Sequence, residues 1–153
     1  MGCDIHMFIE KKASEKYDIW EQVALYRVNK NNHKLEVAPF YDGRDYELFS
    51  LLAGVRGWHE PFVDLRGLPN NMSSEVEKES AWYESFSHSH TWYDLFELKL
   101  FIQDFKNKNE NEDGIFERLD GLYDFIIDYL DFAGEYIFNI KPNQYRIIMW
   151  FDS

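Results

Sequence analysis

The chain has 153 residues, enough for one domain with a hydrophobic core, and 18% of them are aromatic, which excludes a disordered composition. A formal net charge of −12 disfavours non-specific binding to duplex nucleic acid and to anionic membranes, both of which need an excess of Lys and Arg. The one cysteine, Cys3, excludes an intrachain disulfide and suits a reducing compartment.

Asp4, His6 and Glu10 interrupt the opening residues, so these do not read as a signal peptide. No apolar run approaches a membrane span. The expectation is a cytoplasmic protein with no membrane partner. Residues 3–10 alternate, with Cys3, Ile5, Met7 and Ile9 on one face and Asp4, His6, Phe8 and Glu10 on the other. That pattern predicts a strand inside a sheet. A turn is expected over Lys11–Lys16, a second strand over Asp18–Val28, and a polar loop over Asn29–Lys34.

Asp42-Gly43-Arg44-Asp45 turns into a helix at about 45–54, with Gly54 and Gly57 bracketing its end. Residues 57–72, with Pro61, Pro69, Asn70 and Asn71, read as an ordered loop. Ser74 with Glu77 makes a capping box for a helix running to about Phe86. His88-Ser89-His90 follows. Thr91, with Asp94 three positions on, predicts the cap of a helix reaching about Phe105. Lys106–Gly114 is a charged, Asn-rich linker, expected to be flexible. A helix over about 115–133 buries Ile115, Leu119, Leu122, Ile126 and Leu130, and Gly134 ends it. Tyr145–Asp152 reads as a central strand, apolar on both faces. Together these elements predict a single α+β domain over 1–153. A small, mainly antiparallel sheet would include the first and last strands and be packed by three to four helices.

Three groups of residues carry chemistry. Asp4, His6, His88 and His90 combine a carboxylate with imidazoles at i, i+2 spacing, a workable shell for a divalent metal. If residues 88–90 are extended, both imidazoles share a face near a helix N-terminus that favours an anion. His88 and His90 are then the candidate catalytic pair, one base and one acid on a phosphodiester. The alternative is that they are loop residues and that His6 is hydrogen-bonded in the sheet. No cofactor is required by the sequence, and a divalent metal is the candidate one. Secondly, Arg44, Arg56 and Arg66 stand at element ends beside glycines, where guanidinium forks suit phosphate. They could equally pair with the many acidic residues. Thirdly, Glu117, Asp120, Asp124, Asp128, Asp131 and Glu135 give the long helix an acidic face, either solvated or a mimic of nucleic acid. Cys3 alternates with buried residues and reads as a structural thiol. His33 and His59 read as surface residues, and Trp58, Trp82 and Trp92 as core or as stacking platforms.

Met-Gly-Cys-Asp-Ile-His, Arg44–Phe49, Leu52–Arg56, Arg66–Pro69, His88–Trp92 and Trp150-Phe151-Asp152 occur in this order along nearly the whole chain. In these blocks the chain resembles a family of small bacteriophage and prophage proteins without an established activity. Thr91 stands where that family usually has Ser, and Glu84 is the nearest counterpart of an acidic residue expected before the histidine block. The resemblance implies expression in a bacterial cytoplasm and an accessory role that includes interference with host defence.

The sequence reading is a pocket for a small phosphate-bearing, nucleotide-derived ligand, formed by Arg44, Arg56, Arg66, His88, His90, Thr91 and Trp92 with Asp4 and His6. Sequestering a host antiviral signal would be its role. Two alternatives stay open: a metal-assisted or histidine-based phosphodiesterase, and an acidic protein-binding inhibitor. Homo-oligomerisation is left open as well.

Overall fold

Apolar alternation in the first segment and a doubly apolar last segment produce two long central strands. A computed structural model describes residues 2–14, 16–38, 40–135 and 141–153. Strands β1 (Asp4–Lys12) and β6 (Tyr145–Asp152) pair antiparallel, from Asp4 opposite Asp152 to Lys11 opposite Tyr145. Strands β2 (Trp20–Val23) and β5 (Ser87–Asp94) flank them, giving the order β2-β1-β6-β5. Among the described residues the fold is thus α+β, as expected, with the first and last strands as neighbours.

The period of two divides the sheet into faces. Cys3, Ile5, Met7, Ile9, Ile147, Met149 and Phe151 pack against three helices: α1 (Tyr46–Ala53), α3 (Leu95–Lys108) and α4 (Ile115–Phe132). On the other face, Ile148 and Trp150 meet Val76 of α2 (Ser74–Trp82), with Phe8, Leu68, Met72, Tyr83 and Trp92 around them. Residues Tyr145–Phe151 are all buried, because β6 has cover on both sides. No helix among the described residues is long and apolar enough to cross a membrane.

Five expected boundaries move. The expected strand over 18–28 breaks at Leu25, whose N–H donates to the Tyr129 hydroxyl at 2.9 Å and whose carbonyl accepts from Ala38. Beyond the break, β3 (Tyr26–Val28) pairs with β4 (Leu35–Val37) in a separate ribbon. The expected turn over 11–16 shifts to follow Lys12, and its Glu15, like Met1 of the opening motif, lies outside the described residues. Helix α2 is capped by Ser73 and stops at Trp82. The cap expected at Thr91 is instead Asp94, in a reciprocal box with Glu97, while Thr91 is a fully buried strand residue. The linker shortens, since α3 continues to Lys108, and Asn111 accepts a hydrogen bond from Phe116 N–H at the start of α4. The cap by Asp45, the left-handed Gly54 and the buried stripe of α4 stand where the sequence places them.

One ion pair lies inside the sheet's second face. Glu10 and Arg146 are opposite one another on β1 and β6 and are 0% and 3% exposed. Arg146 Nε and Nη2 donate to Glu10 Oε1 at 2.9 and 2.6 Å, while Oε2 accepts from Ser73 N–H at 2.6 Å. Removing one member strands the other as a buried charge. Glu10→Gln should therefore lower the unfolding free energy in urea by about 3–5 kcal/mol. Glu10→Gln combined with Arg146→Met, which removes both charges, should recover much of that loss.

Candidate functional site

The histidine block is built on a β-bulge. His88 stands opposite Phe151 and Thr91 opposite Met149, so Ser89 and His90 together span the place of Trp150. Ser89 takes the left-handed backbone, φ +57°. The extra residue reverses the alternation. The His88 ring lies 6.3 Å from Phe151 on the helical face, and the His90 ring lies 6.5 Å from Trp150 on the other. The expectation that the two imidazoles share a face is corrected here. As a catalytic pair, His88 and His90 have the sheet between them. The helix N-terminus expected beside them is displaced to Leu95, where the Asp94 carboxylate already serves it.

On the helical face, His88 borders a cavity of about 500 Å³ with Cys3, Gly54, Arg56, Ser89 and Ser153. His88 Nδ1 is 2.9 Å from Ser89 Oγ and Nε2 is 3.1 Å from Ser153 Oγ, so hydroxyls fix the ring on both sides. Arg56 reaches this cavity because the chain coils tightly after α1. Gly54, Arg56 and Gly57 all have positive φ, 71°, 69° and 67°. The Arg56 guanidinium also lies over the Tyr46 ring at 4.7 Å. Burial raises the Cys3 thiol above its ordinary range, and Arg56 offsets this only in part. Cys3 is therefore a protonated, 1% exposed wall of the cavity and not a nucleophile.

On the opposite face, His6 Nε2 is 2.5 Å from Asp152 Oδ2 and its ring lies 4.1 Å from that of Tyr83. Ser87 Oγ is 2.9 Å from His90 Nε2. The buried Trp150 indole N–H has no acceptor among the described residues. A cavity of about 440 Å³ follows the part of β1 that β2 does not reach, with the carboxylates Asp4, Asp42 and Glu79 in its wall.

The remaining candidates have partners of their own. Arg66 grips Glu97 with both terminal nitrogens, Nη2 to Oε2 at 3.0 Å, and lies over Trp92 at 4.7 Å. This pairing raises its pKa further. The Arg66 N–H donates to Thr91 Oγ1 at 3.3 Å, and Gly67 N–H to the His90 carbonyl at 3.0 Å, which braces the bulge. Trp92 is half-buried beneath Arg66, and Arg44 is paired with Asp4. Of the expected pocket residues, Arg56 and His88 share one cavity, and Asp4 and His6 share the other. The expected metal set is split four ways: Asp4 to Arg44, His6 to Asp152, His88 to Ser89 and Ser153, His90 to Ser87. Among the described residues no group of three or more His, Cys, Asp or Glu is placed to hold a metal ion.

Sequence reasoning missed Asp152, Ser87, Ser89 and Ser153. Asp152 was within reach, because an antiparallel pairing of the first and last strands brings it beside His6. The bulge had only the small Ser89 between two histidines as a signal. Comparison with protein-family models, curated proteins and solved structures finds no match for this chain.

Burial, with a contribution from His88, lowers the His90 pKa below its ordinary 6.5. The unfolded chain therefore takes up this proton first as pH falls. His90 costs no stability above about pH 6.5 and a growing amount below it, until the native imidazole also titrates. His90→Gln should flatten the decline in urea midpoint between about pH 7.5 and 5.5 relative to the parent chain. An unchanged slope would mean that His90 keeps its ordinary titration in the fold.

Proposed function

We propose that the protein binds and holds a small phosphate-bearing molecule in the cavity between the coil after α1 and the bulge of β5. The observation that carries this reading is the meeting of Arg56 and His88 in one concavity. In a chain of net charge −12, a cationic guanidinium and an imidazole side by side form a local site of opposite character. The hydroxyls of Ser89 and Ser153 add donors that can turn toward phosphate oxygens.

Trp58 is 59% exposed, and its ring lies 6.1 Å from that of Tyr46, which Arg56 covers. This aromatic surface beside the cation suits the base of a nucleotide-derived ligand. Retention is favoured over cleavage by the chemistry of the wall. Cys3 is protonated and His90 lies across the sheet, so His88 has no acid–base partner among the described residues that line the cavity. The resemblance to phage proteins extends the proposal: the chain acts in a bacterial cytoplasm and sequesters a nucleotide signal of host defence.

The test is calorimetric titration with pyrophosphate, cyclic dinucleotides and ADP-ribose, followed by denaturation and recovery of the ligand. At least one member should bind and return intact. Arg56→Gln and His88→Gln should each weaken it by about 10–100-fold, the worth of one charge-assisted hydrogen bond. Arg66→Lys, by contrast, should cost stability and leave affinity within a few-fold. Absence of binding across the panel, or indifference to Arg56→Gln, would sink the proposal. New products after denaturation would replace retention by cleavage.

A further inference from the structure

The segment from Tyr26 to Val37 carries a charge opposite to that of the rest of the chain. Arg27, Lys30 and Lys34 outweigh Glu36 by two, which leaves −14 on the remaining residues out of the total of −12. This segment is the β3–β4 ribbon, which joins neither edge of the main sheet. Tyr26 stands opposite Val37 and Val28 opposite Leu35, so all four side chains share one face of the ribbon. They are 61%, 43%, 59% and 68% exposed in that order. On the reverse face, Arg27 Nε meets Glu36 Oε1 at 2.8 Å. The polar side is therefore satisfied within the ribbon, and the apolar side is left in water. The four side chains leave on the order of 400 Å² of apolar surface in one patch, a size that marks a contact site. A lone two-stranded ribbon is also marginal in stability without something against its apolar face.

A complementary surface lies along α4. Asp124, Phe125, Asp128, Asp131 and Phe132 are all exposed, at spacings that put them on one side of the helix. Phe125 and Phe132 are 42% and 80% exposed. The other acidic groups near this helix are engaged: Asp120 by Lys106, Glu117 by Asn111 and Glu135 by Lys11. Asp124, Asp128 and Asp131 form no ion pair among the described residues. The stripe thus offers two phenyl rings between three aspartates, against an apolar face with Lys30 and Lys34 in the loop at its end.

The two surfaces are neighbours in one molecule. Leu25, at the foot of the ribbon, donates to the Tyr129 hydroxyl of α4 at 2.9 Å, and Val37 shares a cavity wall with Phe40 and Tyr129. A two-fold contact needs a patch and its complement side by side, so that each copy offers both. The ribbon's roughly 400 Å² is about half of what a standard interface buries on each partner, and the reciprocal α4 stripe supplies the rest. We infer that the protein forms a two-fold dimer in which the β3–β4 ribbon of each copy docks on the α4 stripe of the other.

The test is the mass in solution by light scattering and equilibrium sedimentation at about 0.15 M salt, where long-range repulsion between the copies is screened. The dimer fraction should rise with concentration and dominate at about 100 μM. Val28→Glu and Leu35→Glu, both at exposed positions, should each give a monomer with unchanged far-UV circular dichroism and a thermal midpoint that no longer rises with protein concentration. Lys30→Glu/Lys34→Glu and Asp128→Lys/Asp131→Lys should each be monomeric alone, because each sets like charges face to face. Mixed in equal amounts, these two variants should form a heterodimer, since both contacts then pair opposite charges. A parent chain that stays monomeric at the highest concentration overturns the inference. So does a dimer that survives Leu35→Glu, or a mixture that fails to associate.

Discussion

The register of the two central strands rests on the buried pair of Glu10 and Arg146. Ile, Met, Phe and Trp on β1 and β6 would pack in more than one alignment, because apolar contacts are non-directional. A charge pair is not so tolerant. A slip of one residue would turn Glu10 or Arg146 into the helical core without its partner. The pair also collects the pieces around it. Ser73 N–H binds the free carboxylate oxygen, Asn71 accepts from Nη1 at 3.0 Å, and Trp20 stacks on the guanidinium at 3.9 Å. One ion pair thereby joins β1, β2, β6 and the start of α2. Asp152 meets His6, and Trp150 lies between His6 and His90, because this register is held.

Arg66 fixes the bulge in the same indirect way. Its backbone N–H and that of Gly67 reach across to Thr91 and His90, so the loop before α2 acts as a short brace along β5. The guanidinium is locked by Glu97, which also completes the cap of α3. An arginine whose sequence context, Arg-Gly-Leu-Pro, suggests phosphate recognition is thus spent on geometry. That geometry turns His88 toward Arg56 and His90 away from it. The cavity beside His88 is shaped by the backbone N–H groups of Arg66 and Gly67 as much as by the residues that line it.

This division explains what was legible in the sequence. β1, β6, α1 and α4 follow from periodicity and caps, which are local properties of the chain. The end of the second strand at Leu25 depends on the Tyr129 hydroxyl, roughly a hundred positions away, and no local pattern carries that. Thr91 and Asp94 both satisfy a capping rule. What decides between them is the demand of β6 for a partner as far as Arg146, a tertiary requirement. The i, i+2 rule for His88 and His90 holds only without a bulge, and a bulge is defined by the opposite strand. The arginines were recognisable as cations, but their acceptors were not. Glu97 and Asp4 are ordinary surface carboxylates until the fold brings them to Arg66 and Arg44.

Charge distribution connects the ligand cavity with the ribbon. A body of charge −12 repels both an anionic ligand and a second copy of itself at distances beyond the screening length, about 8 Å at physiological salt. Attraction in either case has to come from groups in contact. In the proposed ligand complex and dimer, Arg56 and His88 would supply it in the cavity, and Lys30 and Lys34 beside the apolar face of the ribbon. Arg56 stands on the left-handed coil after α1, and Lys30 and Lys34 stand in the loop of a ribbon detached from the main sheet. Added salt removes the long-range repulsion first and weakens partly buried contacts much less. Ligand capture and self-association should therefore both be weakest at very low ionic strength, the reverse of a protein that gathers anions by its overall field.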